Sequence, residues 1–589
     1  AAAGHGAREF PLPAAGGWSV YLDGLGRAAL VPGVPPAVPK GAAAWGSFAD
    51  AIGETGWSVL DVHTSEGLGG AEQSYAAGFL EGALTSERMA QHQRNMWGID
   101  FHGDPVGSMP HAASNFSARN LDWMQGQVRR NAEHDPYWRM VGFLLEQLRG
   151  LSDGYNAARA FASRPAVPLA QVLMQSVVDT DMDDLLTAVM AHGEPVNAHY
   201  RRHESPRRRR HKGHCSALVQ LAPGGADLWT GHATWDEYRA MLRVVKYLDM
   251  PLPGAAARRM SFTSTPGALY SGDDWYVTDR GLTVMETSIE NYNAALWHRV
   301  QPASMLTWVR TMVANRLATT GAEWTELQLR HQSGTCNNQW MVVDYKRFAP
   351  GKALVNGTLW VAETMPGHTH REDMTRVLAG QGSWPSYNVP YFRDVWEVGG
   401  YGAMQEREPA DADQYSFEHD VRARMFARAR AKDEVHSVES FMRLLRYNDR
   451  RDPLAQGDAC NGIAARCDLN AHAAAGYDCF GAIDAKVKRA AGGPADLSFL
   501  AVSSPAFSAE ERPFAWHEQD SAVKGCRSWE HSGHPDTFAF PWFELPSSAS
   551  PAGAGPLGEQ LADAAGDDGL AALGAAAGAA AALEALAAL

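Results

Sequence analysis

A short stretch that cannot be buried divides the chain into two parts with different patterns. Residues 201–214 read RRHESPRRRRHKGH, with six arginines, one lysine, three histidines and one glutamate. None of these side chains can join an apolar core, so the sequence predicts an exposed, mobile loop. Such a loop is a solvated charge run, a polyanion-binding or nuclear-localisation patch, or a protease-sensitive linker. The residues that follow it favour the linker.

Helical periodicity is the main pattern before this stretch. A strand-like run near Trp18–Leu22 comes first. Residues 70–160 then read as helical, and Tyr137–Leu151 (YWRMVGFLLEQLRGL) places apolar side chains at helical spacing. Residues 166–192 predict one more helix. The part before the basic stretch is therefore expected to be mainly helical.

Short strands and turns follow the basic stretch. Ser216–Leu221 and Asp227–Thr234 flank a Pro-Gly-Gly turn and predict a β-hairpin. Thr234 and Glu237 have the spacing of a capping box, which predicts a helix with an apolar face of Tyr238, Met241, Leu242, Val245 and Leu248. Further strands are predicted at Asp274–Thr278, Leu282–Thr287, Gln339–Tyr345 and Gly357–Thr364, with a helix near Ser304–Ala318. Hairpins mixed with helices indicate an α+β fold with antiparallel sheets.

Length and charge exclude some classes of protein. With 589 residues, the chain is long enough for two to four domains or one large unit. The 52 basic and 67 acidic residues give a formal charge of −15, which argues against a general nucleic-acid binder. The chain starts AAAGHG without Met, so we interpret it as a mature form or a fragment. Residues 549–589 are rich in Ala and Gly and predict a low-complexity tail rather than a membrane span.

Several motifs of hydrolases and metal proteins are missing. The sequence has neither a G-x-S-x-G elbow nor an H-E-x-x-H helix. Asp179–Asp183 resembles the start of a calcium loop, but Asp184 and Met190 stand where Gly and Glu are required. His368-Thr369-His370 has no Cys or carboxylate at a ligand spacing, so we interpret it as a surface loop.

The six cysteines are unevenly placed. Four lie in the last third of the chain, and we favour two disulfides there, Cys460–Cys467 and Cys479–Cys526, although spacing cannot establish the pairing and six free thiols remain an alternative. Two glycosylation sequons begin at Asn115 and Asn356 and support a secretory route only weakly.

Cys215 stands directly between the basic stretch and the predicted hairpin. If the chain were cut before it, this residue would carry a thiol and an α-amino group a few ångströms apart. A free amine titrates near 7.7–8.0 and a thiol near 8.5, so the amine can act as general base for the thiol. This is the arrangement of an N-terminal nucleophile. The alternative is an ordinary buried cysteine at the start of a strand.

Several strings of the sequence resemble the phospholipase B-like family. They occur in the family's order from about residue 70 to 545, and they include GHCSAL (213–218), GHATW (231–235), SGTCNNQWMVVDY (333–345), WPSYNVPYF (384–392), RYN (446–448), DLN (468–470) and DAKV (484–487). The part before the basic stretch contributes NLDW (120–123), DPYW (135–138) and LRGLSDGY (148–155). One departure is Cys336, where the family usually has an aromatic residue.

The resemblance implies a fold and a maturation step. The expected fold is the four-layer αββα sandwich of N-terminal nucleophile hydrolases, with two stacked antiparallel sheets between helical layers. Residues 1–200 would pack as part of it, 201–214 would be a linker removed on maturation, and 215–548 would carry the nucleophile. The precursor would cleave itself before Cys215. Members are lysosomal or secreted glycoproteins, so we expect a lysosomal or secreted location.

The resemblance also implies the site residues. Cys215 would be the nucleophile and its freed amine the base, His232 would face that amine or the scissile group, and Asn337 and Asn338 would supply amide donors to an oxyanion. Thr234 could orient the amine, although the capping box competes for its hydroxyl. Glu286 and Thr287 end a neighbouring strand, and Arg466 is either an active-site cation or the partner of Asp468.

Two functions of different classes follow from the resemblance. The first is a lipid acyl hydrolase that deacylates phospholipids through a thioester at Cys215, with N-acyl lipids or other amides as an alternative substrate. The second is a luminal lipid-binding protein that keeps self-cleavage but has little turnover. Neither requires a metal or an organic cofactor, a nucleic acid or a membrane span, although a transient contact with a membrane surface fits a lipid substrate.

Overall fold

The computed structural model of the chain describes residues 7–11, 16–33, 40–100, 111–178, 180–193, 215–471, 476–508, 511–519, 526 and 529–548. The side chains of residues 97–100, 111 and 174–178 are also left undescribed. The predicted linker at 201–214 and the predicted tail at 549–589 therefore lie outside the described residues, and so does Asp179.

Two large sheets dominate this part of the chain. The larger has eleven strands in the order β14-β13-β12-β11-β10-β9-β8-β5-β4-β2-β3 and the smaller has seven in the order β1-β20-β17-β16-β7-β6-β15. The strands of the larger sheet are β2 Gly17–Leu22, β3 Ala28–Pro32, β4 Ala44–Ala51, β5 Trp57–Thr64, β8 Arg243–Asp249, β9 Arg259–Ser264, β10 Trp275–Thr278, β11 Leu282–Ser288, β12 Asn338–Asp344, β13 Leu359–Met365 and β14 His368–Asp373. Those of the smaller sheet are β1 Arg8–Glu9, β6 Cys215–Leu221, β7 Leu228–Glu237, β15 Ser383–Ser386, β16 Phe480–Arg489, β17 Phe499–Val502 and β20 Phe543–Leu545. Strands β18 Phe514–Ala515 and β19 Thr537–Phe538 form a separate pair.

Pairing within the sheets is antiparallel except at two places. Strand β5 runs parallel to β8, and β1 runs parallel to β20. The first exception matters for the architecture, because β5 precedes the basic stretch and β8 follows it. Segments from both sides of residues 201–214 thus share one sheet.

The helices lie between and around these strands. They are α1 Ile52–Thr55, α2 Gly70–Leu84, α3 Ser86–Asp100, α4 His111–Asn131, α5 Pro136–Phe161, α6 Leu169–Val178, α7 Met182–Ala191, α8 Thr307–Leu317, α9 Gly321–Leu329, α10 Thr375–Gln381, α11 Arg393–Val398, α12 Tyr401–Arg407, α13 Val421–Ala431 and α14 Val438–Leu445. No helix among the described residues is both long and apolar enough to cross a bilayer.

The sheets and helices form layers around two apolar cores. One core joins the facing sides of the sheets and the helices that cover the smaller sheet; it includes Val219 of β6, Val343 of β12 and Phe441 of α14. The other packs α2, α5 and α8 against the larger sheet, with Leu80 and Val309 among its members. The expected α+β sandwich of two stacked, mainly antiparallel sheets flanked by helices is confirmed.

Helices α2 and α5 approach each other closely because glycines line their contact. A Cβ atom built on Gly78 would lie 1.9 Å from the carbonyl oxygen of Gln147, and one on Gly150 would lie 2.0 Å from that of Tyr75. Gly82 and Gly154 repeat the arrangement one turn further on. The LRGLSDGY string is therefore a packing motif in which two backbones touch.

The helix predicted after Thr234 is wrong. Strand β7 continues to Glu237, Tyr238–Ala240 forms a single 3₁₀ turn, and β8 follows as a strand. Both Val244 and Val245 are fully buried, because β8 is covered on one face by helices and on the other by the second sheet. A strand buried on both faces is a continuous apolar run, which also satisfies helical spacing. Thr234 accordingly does not cap a helix.

Most of the other predicted elements are confirmed. The hairpin, the strand near Trp18, the four later strands and the helix near 304–318 are all present as β2, β6, β7, β10 to β13 and α8. The single helix predicted over 166–192 is instead two, α6 and α7. Both predicted disulfides, Cys460–Cys467 and Cys479–Cys526, are formed, and Cys215 and Cys336 are free.

Candidate active site around Cys215

Cys215 is the first residue of β6 and pairs with Thr234 of β7. Two residues along, Ala217 pairs with His232, so Cys215 and His232 lie near each other on adjacent strands. Cys215 is 3% exposed and His232 is fully buried. The tight hairpin thus places a thiol and an imidazole side by side at a strand end that faces the other sheet.

The second sheet completes the cluster with Glu286 of β11. The sulfur of Cys215, a ring nitrogen of His232 and a carboxylate oxygen of Glu286 all lie within 4.8 Å of one another. His232 Nε2 also lies 2.9 Å from the backbone carbonyl oxygen of Glu286. Because a carbonyl oxygen only accepts, Nε2 carries the hydrogen and Nδ1 keeps its lone pair. Three of the residues predicted from the sequence are therefore brought together.

A buried charge network supports Thr234 and was missed by sequence reasoning. Lys486 Nζ donates to Asp273 (2.6 Å) and to Asp484 (2.7 Å), and it also contacts the hydroxyl of Thr234. Arg243 Nη2 pairs with Asp273 at 2.7 Å, and Arg243 Nε with Asp484 at 2.9 Å. The two acids and two bases balance in charge, which makes their burial tolerable. Asp484 and Lys486 lie in the DAKV string. Two charged residues that alternate with apolar ones in a strand were the signal that could have revealed a buried ion pair.

Burial sets the protonation of the cluster. It raises the pKa of the Cys215 thiol well above its usual value, and the nearby Glu286 carboxylate adds to this. The backbone N–H of Trp235 and the charge of Lys486 oppose that rise in the thiol pKa. Burial lowers the pKa of His232 far below its usual value, so its imidazole is neutral.

The pKa values of the two buried carboxyl groups, Glu286 and Asp273, shift in opposite directions. Burial also raises the pKa of Glu286, whereas Arg243 and Lys486 outweigh burial at Asp273 and hold its pKa low. The cluster in the described chain is thus a protonated thiol beside a neutral imidazole, with an ionised carboxylate behind Thr234.

Arg422 holds the backbone at Cys215, and sequence reasoning missed this residue too. Its Nη1 donates to the carbonyl oxygen of Cys215 at 2.7 Å, and its Nη2 donates to that of Tyr387 at 2.6 Å. Its guanidinium lies 4.5 Å from the centre of the Trp235 ring. No local motif marks this residue, because it comes from helix α13, far along the chain.

The two asparagines lie at the start of β12, beside Cys336. Asn338 pairs with Ser288, two residues from Glu286 on β11, and its Nδ2 is 3.6 Å from Cys336 Sγ. Asn337 donates to the carbonyl oxygen of Gly334 at 3.0 Å, and its buried Oδ1 has no hydrogen-bond partner. Their role as oxyanion donors stays a prediction.

Two lower-ranked candidates have other contacts. Arg466 donates to both oxygens of Asp468, at 2.9 and 2.8 Å, which favours the pairing alternative over an active-site cation. The Thr287 hydroxyl lies 2.6 Å from that of Ser386 and so links β11 to β15.

Two cavities are lined in part by strand neighbours of this cluster, but neither lining includes Cys215, His232 or Glu286. A polar one of about 200 Å³ is lined by Trp235, Ser288, Tyr387, Asn388 and Arg422, among others. A second, of about 380 Å³, has a largely apolar and aromatic lining that includes Leu218, Trp384, Tyr391, Phe417 and Phe426. Tyr387 lines both cavities.

The interpretation of His368-Thr369-His370 as a surface loop is wrong. These residues lie in β14, and His368 and His370 each contact one oxygen of Asp394 at 2.9 Å. The carboxylate partner comes from α11, too far along the sequence for a motif to show it.

Comparison with known proteins identifies the family. The family model described as Phospholipase B matches residues 44–545. "Phospholipase B-like protein B" from Dictyostelium discoideum is 34% identical over 500 residues, covering 84% of each chain. "Phospholipase B-like protein C" from the same organism is 32% identical over 512 residues, covering 84% of this chain and 86% of the relative. "Phospholipase B" from Crotalus adamanteus is 30% identical over 509 residues, covering 85% of this chain and 88% of the relative. These matches support a lipid hydrolase, and the chain belongs to the phospholipase B family.

Proposed function

We propose that this protein is a lipid acyl hydrolase whose nucleophile is Cys215, freed as a new N-terminus when the chain cleaves itself before that residue. The observation that carries the proposal is the cluster of the Cys215 thiol, His232 and Glu286 within 4.8 Å at the first position of a strand. Family membership supports the lipid substrate, because the matched relatives are named phospholipase B or phospholipase B-like.

The reaction would begin at the thiol. In the uncut chain its pKa is raised by burial, so it needs a base beside it. The freed α-amine supplies that base from the same residue, and the neutral imidazole of His232 is a second acceptor within reach. The thiolate attacks the acyl carbon, the amine returns the proton to the leaving alcohol, and water then hydrolyses the thioester. Asn337, Asn338 and the Trp235 N–H are the proposed oxyanion donors.

The two cavities suit the two ends of a lipid. The polar cavity is lined by Arg422 and Asn388, among others, and its polar lining suits a head group. The apolar cavity of about 380 Å³ can hold an aliphatic chain. Because attack on an ester or an amide gives the same thioester, with a protonated alcohol or amine leaving, an N-acyl lipid is the alternative substrate. We further propose that the protein works in the lysosome or outside the cell, where its two disulfides would persist.

Intact-mass analysis and lipid turnover test the proposal together. Wild type should split between His214 and Cys215 and release fatty acid from phosphatidylcholine or from an N-acylethanolamine, whereas Cys215→Ala should do neither. Cys336→Ala, the other free thiol, is the matched control and should keep both activities. Splitting without release from any lipid would instead favour a binding protein. A wild type that never splits would remove the proposed nucleophile.

A further inference from the structure

The cluster around Cys215 has the composition of a transition-metal site. We propose that Cys215, His232 and Glu286 bind a zinc ion, which blocks the nucleophile and so inhibits the enzyme reversibly. The geometry of these three side chains supports metal binding by itself, while the inhibitory effect rests on the function proposed above. The zinc ion is thus an inhibitor of this site and takes no part in the reaction.

The ligand types and their spacing fit zinc. Thiolate sulfur, imidazole nitrogen and carboxylate oxygen are the three donors that protein zinc sites use, at about 2.0–2.3 Å from the metal. In this chain one donor atom from each of Cys215, His232 and Glu286 lies within 4.8 Å of the other two. Small rotations of the side chains would bring all three to a common ion. A soft sulfur donor disfavours Ca²⁺ and Mg²⁺, which prefer oxygen ligands.

The hydrogen bonds of His232 are those of a metal ligand. Such a histidine donates its other ring N–H to a carbonyl or carboxylate, which fixes the ring and leaves one lone pair for the metal. His232 Nε2 donates in this way to the carbonyl oxygen of Glu286 at 2.9 Å. Its Nδ1 faces only the Thr234 hydroxyl at a long 3.3 Å, and that hydroxyl has Asp273 as another acceptor at 3.3 Å. The lone pair of Nδ1 is therefore available at little cost.

Glu286 supplies a second, independent indication. The residue is 3% exposed, and its Oε2 has no hydrogen-bond partner. A buried carboxylate oxygen without a partner carries a penalty that a bound cation would remove. The unused oxygen belongs to the carboxyl group that already lies beside the thiol and the imidazole.

Zinc binding would release protons from the ligands that carry them. The Cys215 thiol loses its proton to solvent as the Zn–S bond forms, and His232 binds through its lone pair without losing a proton. Any proton on Glu286 also leaves to solvent. Three protein ligands leave a fourth position, which water would fill in the uncut chain and the α-amine of Cys215 in the cut chain. In both cases the sulfur electron pair that would attack the acyl carbon is bound to the metal.

Cobalt substitution tests binding without any lipid. Titration of the full chain with Co²⁺ should produce a sulfur-to-cobalt charge-transfer band, and Zn²⁺ should displace it at one equivalent. Glu286→Gln should weaken binding at least about 100-fold, beyond what loss of an outer-shell partner usually costs. Cys215→Ser should abolish the band, while Cys336→Ser should keep it.

His368 and His370 of β14, which both contact Asp394, form the alternative metal site that the experiment must exclude. The double variant His368→Gln/His370→Gln should bind Co²⁺ like wild type, because neither residue belongs to the cluster. Loss of binding in this variant, or a band that survives Cys215→Ser, would overturn the proposal. Because these titrations need no substrate, a protein that binds cobalt but hydrolyses no lipid would refute the proposed function and leave the metal site standing. Lipid release that is insensitive to stoichiometric Zn²⁺ would refute the inhibition.

Discussion

His232 Nε2 lies 2.9 Å from the backbone carbonyl oxygen of Glu286, so a hydrogen bond between the smaller and the larger sheet lies beside the Cys215 thiol. The bond fixes the ring's orientation and its tautomer. The imidazole is therefore held by the packing of the two sheets as well as by its own hairpin, where Nδ1 contacts the Thr234 hydroxyl at 3.3 Å.

Replacement of His232 tests whether the ring takes part in catalysis. His232→Gln should lower the rate of fatty-acid release about 10²–10⁴-fold, because a positioned proton acceptor is worth that much. His368→Gln, a half-exposed histidine of β14, is the control and should leave the rate unchanged. Rates should be measured together with the thermal unfolding midpoint, and an unaltered rate in a folded His232→Gln variant would contradict the assignment.

Lys486 should be a major contributor to stability. It neutralises the buried carboxylates of Asp273 and Asp484, so Lys486→Met should lower the free energy of unfolding by about 3–5 kcal/mol. Urea denaturation measures this change. Lys432→Met is the matched control, because its ion pair is long and exposed, and it should change stability by less than about 0.5 kcal/mol. Equal changes in the free energy of unfolding in the two variants would contradict the prediction, because the buried charge network would then stabilise the protein no more than an exposed ion pair.

The contact between α2 and α5 predicts opposite effects for two glycines. Gly150→Ala would place a Cβ 2.0 Å from a backbone oxygen, so we expect it to destabilise the protein by about 1–3 kcal/mol. A Cβ at Gly126 in α4 would meet only the flexible ends of two arginine side chains, Arg130 at 3.5 Å and Arg129 at 3.8 Å. Gly126→Ala should stabilise by roughly 0.5–1 kcal/mol, because alanine favours the helix. Denaturation midpoints that move in the same direction would refute this packing.

Stability should also fall as the medium becomes alkaline, because of His63. Burial lowers its pKa, but Asp249 and Asp61 outweigh burial and raise the pKa to about 9. The pKa of His63 in the folded state lies above its value of about 6.5 in the unfolded chain. The ion pairs of protonated His63 therefore stabilise the fold fully below pH 6.5, and this contribution is lost as the pH rises through 9. We expect a loss of roughly 2 kcal/mol across this range, allowing for partial exposure.

His63→Gln is the variant that checks this pH dependence. It should be less stable than wild type at pH 6 and should show a flatter profile between pH 6.5 and 9. Denaturation at several pH values measures both effects. A wild-type profile that rises with pH over this interval would contradict the prediction.

Elements whose formation depends on neighbouring residues could be predicted from short stretches of the sequence. The hairpin from Cys215 to Glu237 follows from a Pro-Gly-Gly turn between two β-rich runs, and α8 lies within the range 304–318 predicted as a helix. Strand β8 was mistaken for a helix because its apolar pattern depends on layers above and below it, which no local window contains. The family strings located Cys215 and His232, but they assigned no role to Asp484 and Lys486.

The sequence by itself determined the α+β class and the β-hairpin that follows the basic stretch, because turn chemistry and strand patterns depend on neighbouring residues. Only the tertiary structure decided that Glu286 meets His232, that Arg422 reaches the Cys215 carbonyl and that Asp273 balances Lys486. Those contacts join residues of different strands, helices and loops. Which residues meet depends on how the two sheets stack and exclude water. Contacts of this kind produce no regular spacing in the sequence, so the sequence alone could not predict them.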